Sequence, residues 1–126
     1  MIALHPSEAV RGALAVQSSR PATSTLLDTD DARLVVFRIA PAQHVPAHRS
    51  DSTVLISVLR GTGIISGAQG ERECAPGDLM AFEPGEIHGM RALDEPFHLL
   101  AVITPRPGTR NAEARSVTGH TVAESR

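Results

Sequence analysis

The chain lacks three residue types that carry common protein chemistry, because it contains no lysine, tryptophan or tyrosine. Without lysine, neither a Schiff base nor a lysine general base is available. The 3 phenylalanines are too few for an aromatic cage or for a platform on which nucleic-acid bases stack. All 12 basic residues are arginines, and with 14 acidic residues the net charge of −2 argues against nucleic-acid and membrane partners.

Cysteine and long apolar runs are also scarce. Cys74 is the single cysteine, so no intramolecular disulfide can form, and we expect it to be a small buried hydrophobe. No apolar run approaches the roughly 20 residues that a membrane-spanning helix needs. The first residues also lack the charged start, apolar stretch and cleavage site of a secretion signal. These features together predict a cytoplasmic protein.

Length and composition predict one folded domain. The 126 residues, 41% of them hydrophobic and 21% charged, match an ordinary globular domain. We expect an N-terminal arm over residues 1–20, a barrel over residues 21–106 and a C-terminal tail or arm over residues 107–126. Within the N-terminal arm, residues 7–11 predict a short helix with Ser7 as its cap.

Turn signals recur at short intervals between β-rich segments. Three turns are centred on prolines, at Pro41-Ala42, Pro76-Gly77 and Pro84-Gly85. The segments between the turns are too short for confident helices, and they predict an all-β sandwich or closed barrel. The clearest strands are residues 34–39, 54–59 and 99–103, and residues 63–67 and 71–74 predict a hairpin.

Several histidines flank the predicted interior. Side chains alternate along a strand, and Val54, Ile56 and Val58 mark the interior face. If the strand is regular, the same alternation places His48 and Ser50 in this interior, near its mouth. His88 follows the turn after Pro84 and can return to the same space. His44 also lies on this face, but about 13 Å from His48 along an extended strand, so that joint metal binding would need a bend at Pro46.

Two motifs of this region resemble those of the cupins. The spacing of both cupin motifs is kept, whereas the residue identities are kept at five of the ten positions. The identities that match are His48, Gly61, Gly77, Gly85 and His88, and those that differ are Ala42, Ser50, Val54, Glu83 and Ala92. The resemblance covers about residues 22–106 and implies an all-β, double-stranded β-helix barrel of the jelly-roll type.

The resemblance also implies a metal site, with a reduced set of ligands. Metal-binding cupins use three histidines and one glutamate, of which this chain keeps His48 and His88, while Ser50 and Val54 occupy the other two positions. We expect His48 and His88 to bind a divalent transition metal, with zinc, iron, nickel, manganese and copper left open. His98 completes a three-histidine site if it points inward. The predicted ligand pocket comprises His44, Ser50, Val54 and His98.

Three functions follow from this resemblance. The first is a metal-dependent oxygenase or isomerase acting on a small molecule, for which no catalytic residue is assigned. The second is a small-molecule-binding or sensor module that lacks metal, which the apolar Val54 favours. The third is an oligomeric scaffold without chemistry. The two retained histidines favour metal-dependent chemistry over simple binding, and uncovered strand edges predict a homodimer.

Overall fold

The protein consists of two antiparallel sheets and one short helix. The computed structural model describes residues 1–14 and 19–107, so the predicted C-terminal tail beyond residue 107 lies outside the described residues. None of the helices in this described part is long and apolar enough to span a membrane. The elements are α1 (Pro6–Gly12), β1 (Ala22–Asp28), β2 (Arg33–Ile39), β3 (His44–His48), β4 (Thr53–Arg60), β5 (Gly63–Gly67), β6 (Gly70–Cys74), β7 (Leu79–Phe82), β8 (His88–Ala92) and β9 (Phe97–Thr104).

The two sheets enclose one core. The larger sheet has the strand order β1-β2-β9-β4-β7, and the smaller sheet has the order β3-β8-β5-β6. Alternate residues of the facing strands fill the space between them, which confirms the predicted all-β double-layer fold and the predicted hairpin of β5 and β6. Cys74 is buried in this core, as expected. The core residues are Ile39, Val54, Ile56, Val58, Ile65, Cys74, Phe82, Met90, Ala92, Phe97, Leu99, Ala101 and Ile103.

Helix α1 covers the outer face of the larger sheet. Val10 of the helix and Val36 of β2 are both fully buried. The guanidinium of Arg38 donates hydrogen bonds of 2.9 Å to the carbonyls of Val10, Arg11 and Ala13, which satisfies backbone acceptors at the end of the helix. The helix begins at Pro6, and His5 is its N-cap without a side-chain hydrogen bond. The expectation that Ser7 caps this helix is therefore wrong, because proline, with its fixed φ, opens the first turn.

Three turns of one geometry shape the ends of the sandwich. Pro41, Pro76 and Pro84 each occupy the second position of a four-residue turn, and the next residue has a positive φ. The backbone N–H of the fourth residue donates to the carbonyl of the first, at 2.9–3.0 Å. In each turn the side chain of the fourth residue also accepts a hydrogen bond from the first N–H. These are type II turns, in the places that the sequence predicts.

Ala42 departs from this pattern in its residue type. Its φ is 78°, close to the φ of 97° at Gly77 and 85° at Gly85, which hold the same turn position. A positive φ costs an alanine about 1–2 kcal/mol, because its Cβ approaches the backbone, whereas glycine adopts it freely. The first glycine of the cupin motif is therefore required by this turn, and Ala42 leaves local strain in its place.

We predict that Ala42→Gly stabilises the protein by about 0.5–1 kcal/mol, since the relief of strain exceeds the added entropy of the unfolded chain. Urea denaturation measures the change in the free energy of unfolding. Ala47→Gly is the matched control, because Ala47 is also exposed and lacks a positive φ, and it should destabilise by a similar amount. A loss of stability in Ala42→Gly would contradict the strained turn.

Candidate functional site

A bulge in β3 decides which of its histidines faces the core. In the pairing with β8, Val45 lies opposite Met90 and His48 lies opposite His88. Between these two pairs, β3 therefore contains one residue more than β8. Pro46 and Ala47, which fill this interval, are both exposed. Proline cannot donate to the ladder, which favours a bulge here. The bulge reverses the alternation, so that Val45 and His48 both face inward.

The loop after β3 is bonded directly to the third proline turn. The backbone N–H of Gly85 donates to the carbonyl of Ser50 at 2.7 Å. In return, the guanidinium of Arg49 donates to the carbonyl of Gly85, also at 2.7 Å. His48 lies just before the first of these segments and His88 just after the second. The two bonds therefore hold both histidines at the same end of the sandwich.

The rings of His48, His88 and Phe82 form a stack at this end. The centroids of His48 and His88 are 4.4 Å apart with the planes tilted by 58°, and the ring of Phe82 lies 4.7 Å from His88 at 25°. His88 is buried, with 3% of its surface exposed, and His48 is half-buried. The sequence gives no signal for Phe82 as a neighbour, because this contact joins β7 to β8 across the two sheets.

Both imidazoles are oriented by the same local hydrogen bond. Nδ1 of His48 lies 3.0 Å from the carbonyl of Pro46, and Nδ1 of His88 lies 3.0 Å from the carbonyl of Glu86. A carbonyl oxygen accepts and cannot donate, so each Nδ1 carries the proton. In the neutral rings, Nε2 then bears the lone pair, which can accept a hydrogen bond or bind a cation.

The four-ligand metal set of the cupins does not fit these residues. The Ser50 hydroxyl accepts a hydrogen bond from the N–H of Ser52 at 3.1 Å, and Val54 packs in the core without any lone pair. Across residues 1–14 and 19–107, no group of three or more His, Cys, Asp or Glu side chains is placed to hold a metal. Of the four cupin ligand positions, two therefore offer an imidazole and none offers a carboxylate to balance the charge of a divalent ion.

His44 lies apart from the histidine pair and borders an open groove. Its partner in β8 is the exposed Arg91, and His44 is itself exposed, so β3 is not regular and His44 does not share the inward face of His48. The groove has a volume of about 870 Å³ and opens between β1 and β3. Pro46 lies in its wall, and the carbonyl of the same residue lies 3.0 Å from Nδ1 of His48, whereas the described lining of the groove includes neither His48 nor His88. The lining residues are Ser19, Arg20, Pro21, Thr23, Phe37, His44, Val45 and Pro46.

Comparison with known families agrees with this architecture. A sequence model of the family described as AraC-like ligand binding domain matches residues 33–124, well over half of the chain. The chain belongs to the AraC-like ligand-binding domain family. The match begins at β2 and includes both histidines of the pair. No curated protein matches the chain.

Solved structures of similar fold include a double-stranded β-helix protein and a lyase. An uncharacterised conserved protein with a double-stranded β-helix domain from Klebsiella pneumoniae is 25% identical, with a TM-score of 0.69 over 77% of this chain and 87% of that one. KdgF from Halomonas sp. is 17% identical, with a TM-score of 0.71 over 82% and 94% of the two chains. The DMSP lyase DddQ from Ruegeria pomeroyi is 20% identical, with a TM-score of 0.63 over 75% and 53%. These likenesses confirm the double-stranded β-helix fold of the cupins.

His98 lies on the opposite face of its strand from the core. In β9 of this AraC-like ligand-binding domain, Phe97, Leu99 and Ala101 point into the core, so the residues between them point outward. His98 is 6% exposed because α1 covers this outer face. The expectations that it lines the ligand pocket and completes a three-histidine site are therefore wrong.

The surroundings of His98 disfavour its protonated form. Burial lowers the pKa of His98 below its ordinary value of 6.5, and the positive charges of Arg60, Arg38 and Arg11 lower it further. These arginines belong to β4, β2 and α1, the elements packed around the ring. In the unfolded chain the same imidazole takes up a proton at its ordinary pKa.

We predict that this difference makes stability depend on pH. As the pH falls below about 6.5, the unfolded state binds a proton that the folded state resists, so the free energy of unfolding decreases. In His98→Gln this part of the decrease is absent, whereas the exposed control His44→Gln retains it. Urea denaturation at about pH 8 and about pH 5 measures both slopes. An equal loss of stability in His98→Gln and wild type would contradict the assignment.

Proposed function

We propose that this protein binds a small organic molecule in the groove between β1 and β3, with His48 and His88 holding its polar end. The observation that carries the proposal is the histidine pair itself, two rings in contact whose Nδ1 atoms are both tied to backbone carbonyls. Membership of a ligand-binding family supports it. A groove of about 870 Å³ is within the usual size range of small-molecule pockets.

The anchored rings define the chemistry of the ligand. With the proton on Nδ1, Nε2 of the half-buried His48 is a hydrogen-bond acceptor. It matches a molecule that presents a hydroxyl or N–H donor. Phe37, Val45 and Pro46 give the groove apolar walls, which suit the organic body of such a molecule. At the position of the cupin glutamate, Val54 packs in the core and carries no charge, which is compatible with the same function.

Metal-dependent chemistry is the second candidate, favoured by one observation. Histidine ligands of metals commonly donate their other N–H to a backbone carbonyl, as His48 and His88 both do. A zinc, iron, nickel, manganese or copper ion held by these rings would supply Lewis-acid or redox chemistry to an oxygenase or isomerase. The incomplete donor set places this candidate behind simple binding.

If the histidine pair binds the ligand, substitution of either ring should lower ligand affinity, whereas substitution of a histidine outside the site should not. A panel of small alcohols, sugars and amides is tested for an increase in melting temperature, and hits are measured by calorimetry. His48→Gln and His88→Gln should weaken binding about tenfold, because glutamine places its acceptor differently. His5→Gln, which changes an exposed histidine at the start of α1, should bind as wild type. Compounds from the panel that bind with equal affinity to all three variants would contradict the proposal.

The two candidates differ in the expected metal content. Elemental analysis of untagged protein, purified without added metal, is compared with His48→Ala and His88→Ala. Binding without metal predicts a transition-metal content far below one ion per chain, even after incubation with zinc, iron, nickel and manganese followed by dialysis. A near-stoichiometric ion that both substitutions remove would establish the metal-dependent function instead.

The homodimer and the cytoplasmic location stay predictions. The sandwich leaves β1 and β7 at the edges of the larger sheet and β3 and β6 at the edges of the smaller one. Each edge presents unpaired backbone groups that a second copy can cover. We propose that a pair of chains associates through one of these edges.

A further inference from the structure

Three basic side chains form a row across the outer face of the larger sheet. His98 of β9 lies directly opposite Arg38 of β2 on one side and Arg60 of β4 on the other. Directly opposed residues of antiparallel strands have Cβ atoms about 5 Å apart, and like charges in such pairs repel. Arg11 of α1 lies beside this row, because its carbonyl accepts a hydrogen bond of 2.9 Å from Arg38. The row therefore concentrates positive charge on one small patch.

The arginines of this row form few interactions that would balance their positive charge. Arg38 donates to the carbonyls at the end of α1, but the ion pairs formed within the described ranges join Asp28 and Glu71 to other arginines. Within the same described ranges, no protein group forms a hydrogen bond with the imidazole of His98, although only 6% of this residue is exposed. Buried polar groups almost always have a partner, and one without calls for an ion or water.

We propose that His98, Arg60 and Arg11 form a binding site for a phosphate-sized oxyanion, which Arg38 helps to position. A guanidinium offers N–H donors in a planar fork that matches phosphate oxygens, and a neutral imidazole donates one further N–H. Arg11 and Arg60 are exposed, so an anion reaches them from solvent. The bound charge supplies both the missing hydrogen-bond partner of His98 and the missing counter-charge of the row.

The site is separate from the proposed ligand groove. His98 faces outward between the core residues Phe97 and Leu99, and Arg60 is exposed and lies opposite it beyond the bulge that follows Val58. The thickness of the sheet lies between the two sites. Anion binding at the basic row can therefore be measured independently of ligand binding in the groove. A protein that binds no small molecule in the groove can still bind an anion at the row.

NMR of the histidine rings with inorganic phosphate tests the proposal on the full chain. Phosphate should shift the His98 ring signals saturably and raise the pKa of His98, because the bound anion favours the imidazolium. Sodium chloride at equal ionic strength is the control for screening and should not saturate. Arg60→Gln should weaken phosphate binding about fivefold or more, as loss of a charged hydrogen bond implies.

Matched variants make the outcome decisive. Arg72→Gln removes an exposed arginine from β6, far from α1, and should bind phosphate as wild type. Arg11→Gln repeats the test of Arg60 from the helix, in case Arg60→Gln fails to fold. Equal responses to phosphate and chloride, or equal affinities of Arg60→Gln, Arg11→Gln and Arg72→Gln, would overturn the site. Loss of saturable binding in either site variant, with Arg72→Gln unchanged, would support it.

Discussion

The arrangement of the histidine pair depends on the two hydrogen bonds that tie the loop after β3 to the turn before β8. The bonds between Ser50, Arg49 and Gly85 join segments separated by more than thirty residues of sequence. In one bond the turn donates through a backbone N–H, and in the other the loop donates through a guanidinium. Each segment therefore both donates and accepts, which fixes the loop and the turn in register. Without them, β3 and β8 would still pair, but the positions of His48 and His88 at the ends of these strands would be free to vary.

Local chemistry explains why much of the fold could be predicted. A type II turn needs a residue with a fixed φ followed by one that tolerates a positive φ, and both are visible as Pro-Gly or Pro-Ala pairs. The strands between the turns follow from their β-branched and apolar residues. The identity of His48 and His88 as site residues came from motif spacing, and the structure brings these two rings into contact.

The remaining errors concern which face a side chain takes. β9 is apolar on both faces, because Leu100 and Val102 alternate with core residues, so the periodicity of its sequence does not place His98. For His44, the bulge at Pro46 and Ala47 reverses the alternation, and this depends on pairing with a distant strand. The N-cap of α1 is His5 and not Ser7, because Pro6 opens the first turn, which is a local effect. The placements of His98 and His44 instead depend on tertiary contacts that the sequence does not display.

The two proposed sites lie on different sheets. His48 and His88 belong to strands of the smaller sheet, whereas the outer face of the larger sheet gathers arginines around the buried His98. The loss of the cupin carboxylate removes the charge that would balance a metal and leaves a site suited to a neutral molecule. His48 and His88 are oriented by backbone carbonyls, whereas His98 is buried among arginines. The three histidines therefore differ in chemistry because their surroundings differ.

The most direct test of the central claim is a long-range ¹H–¹⁵N correlation spectrum of the histidine rings at neutral pH. His48 and His88 should both carry the proton on Nδ1 and leave Nε2 unprotonated, as their bonds to the carbonyls of Pro46 and Glu86 require. A proton on Nε2 of both rings would contradict these bonds and the accepting site built on them.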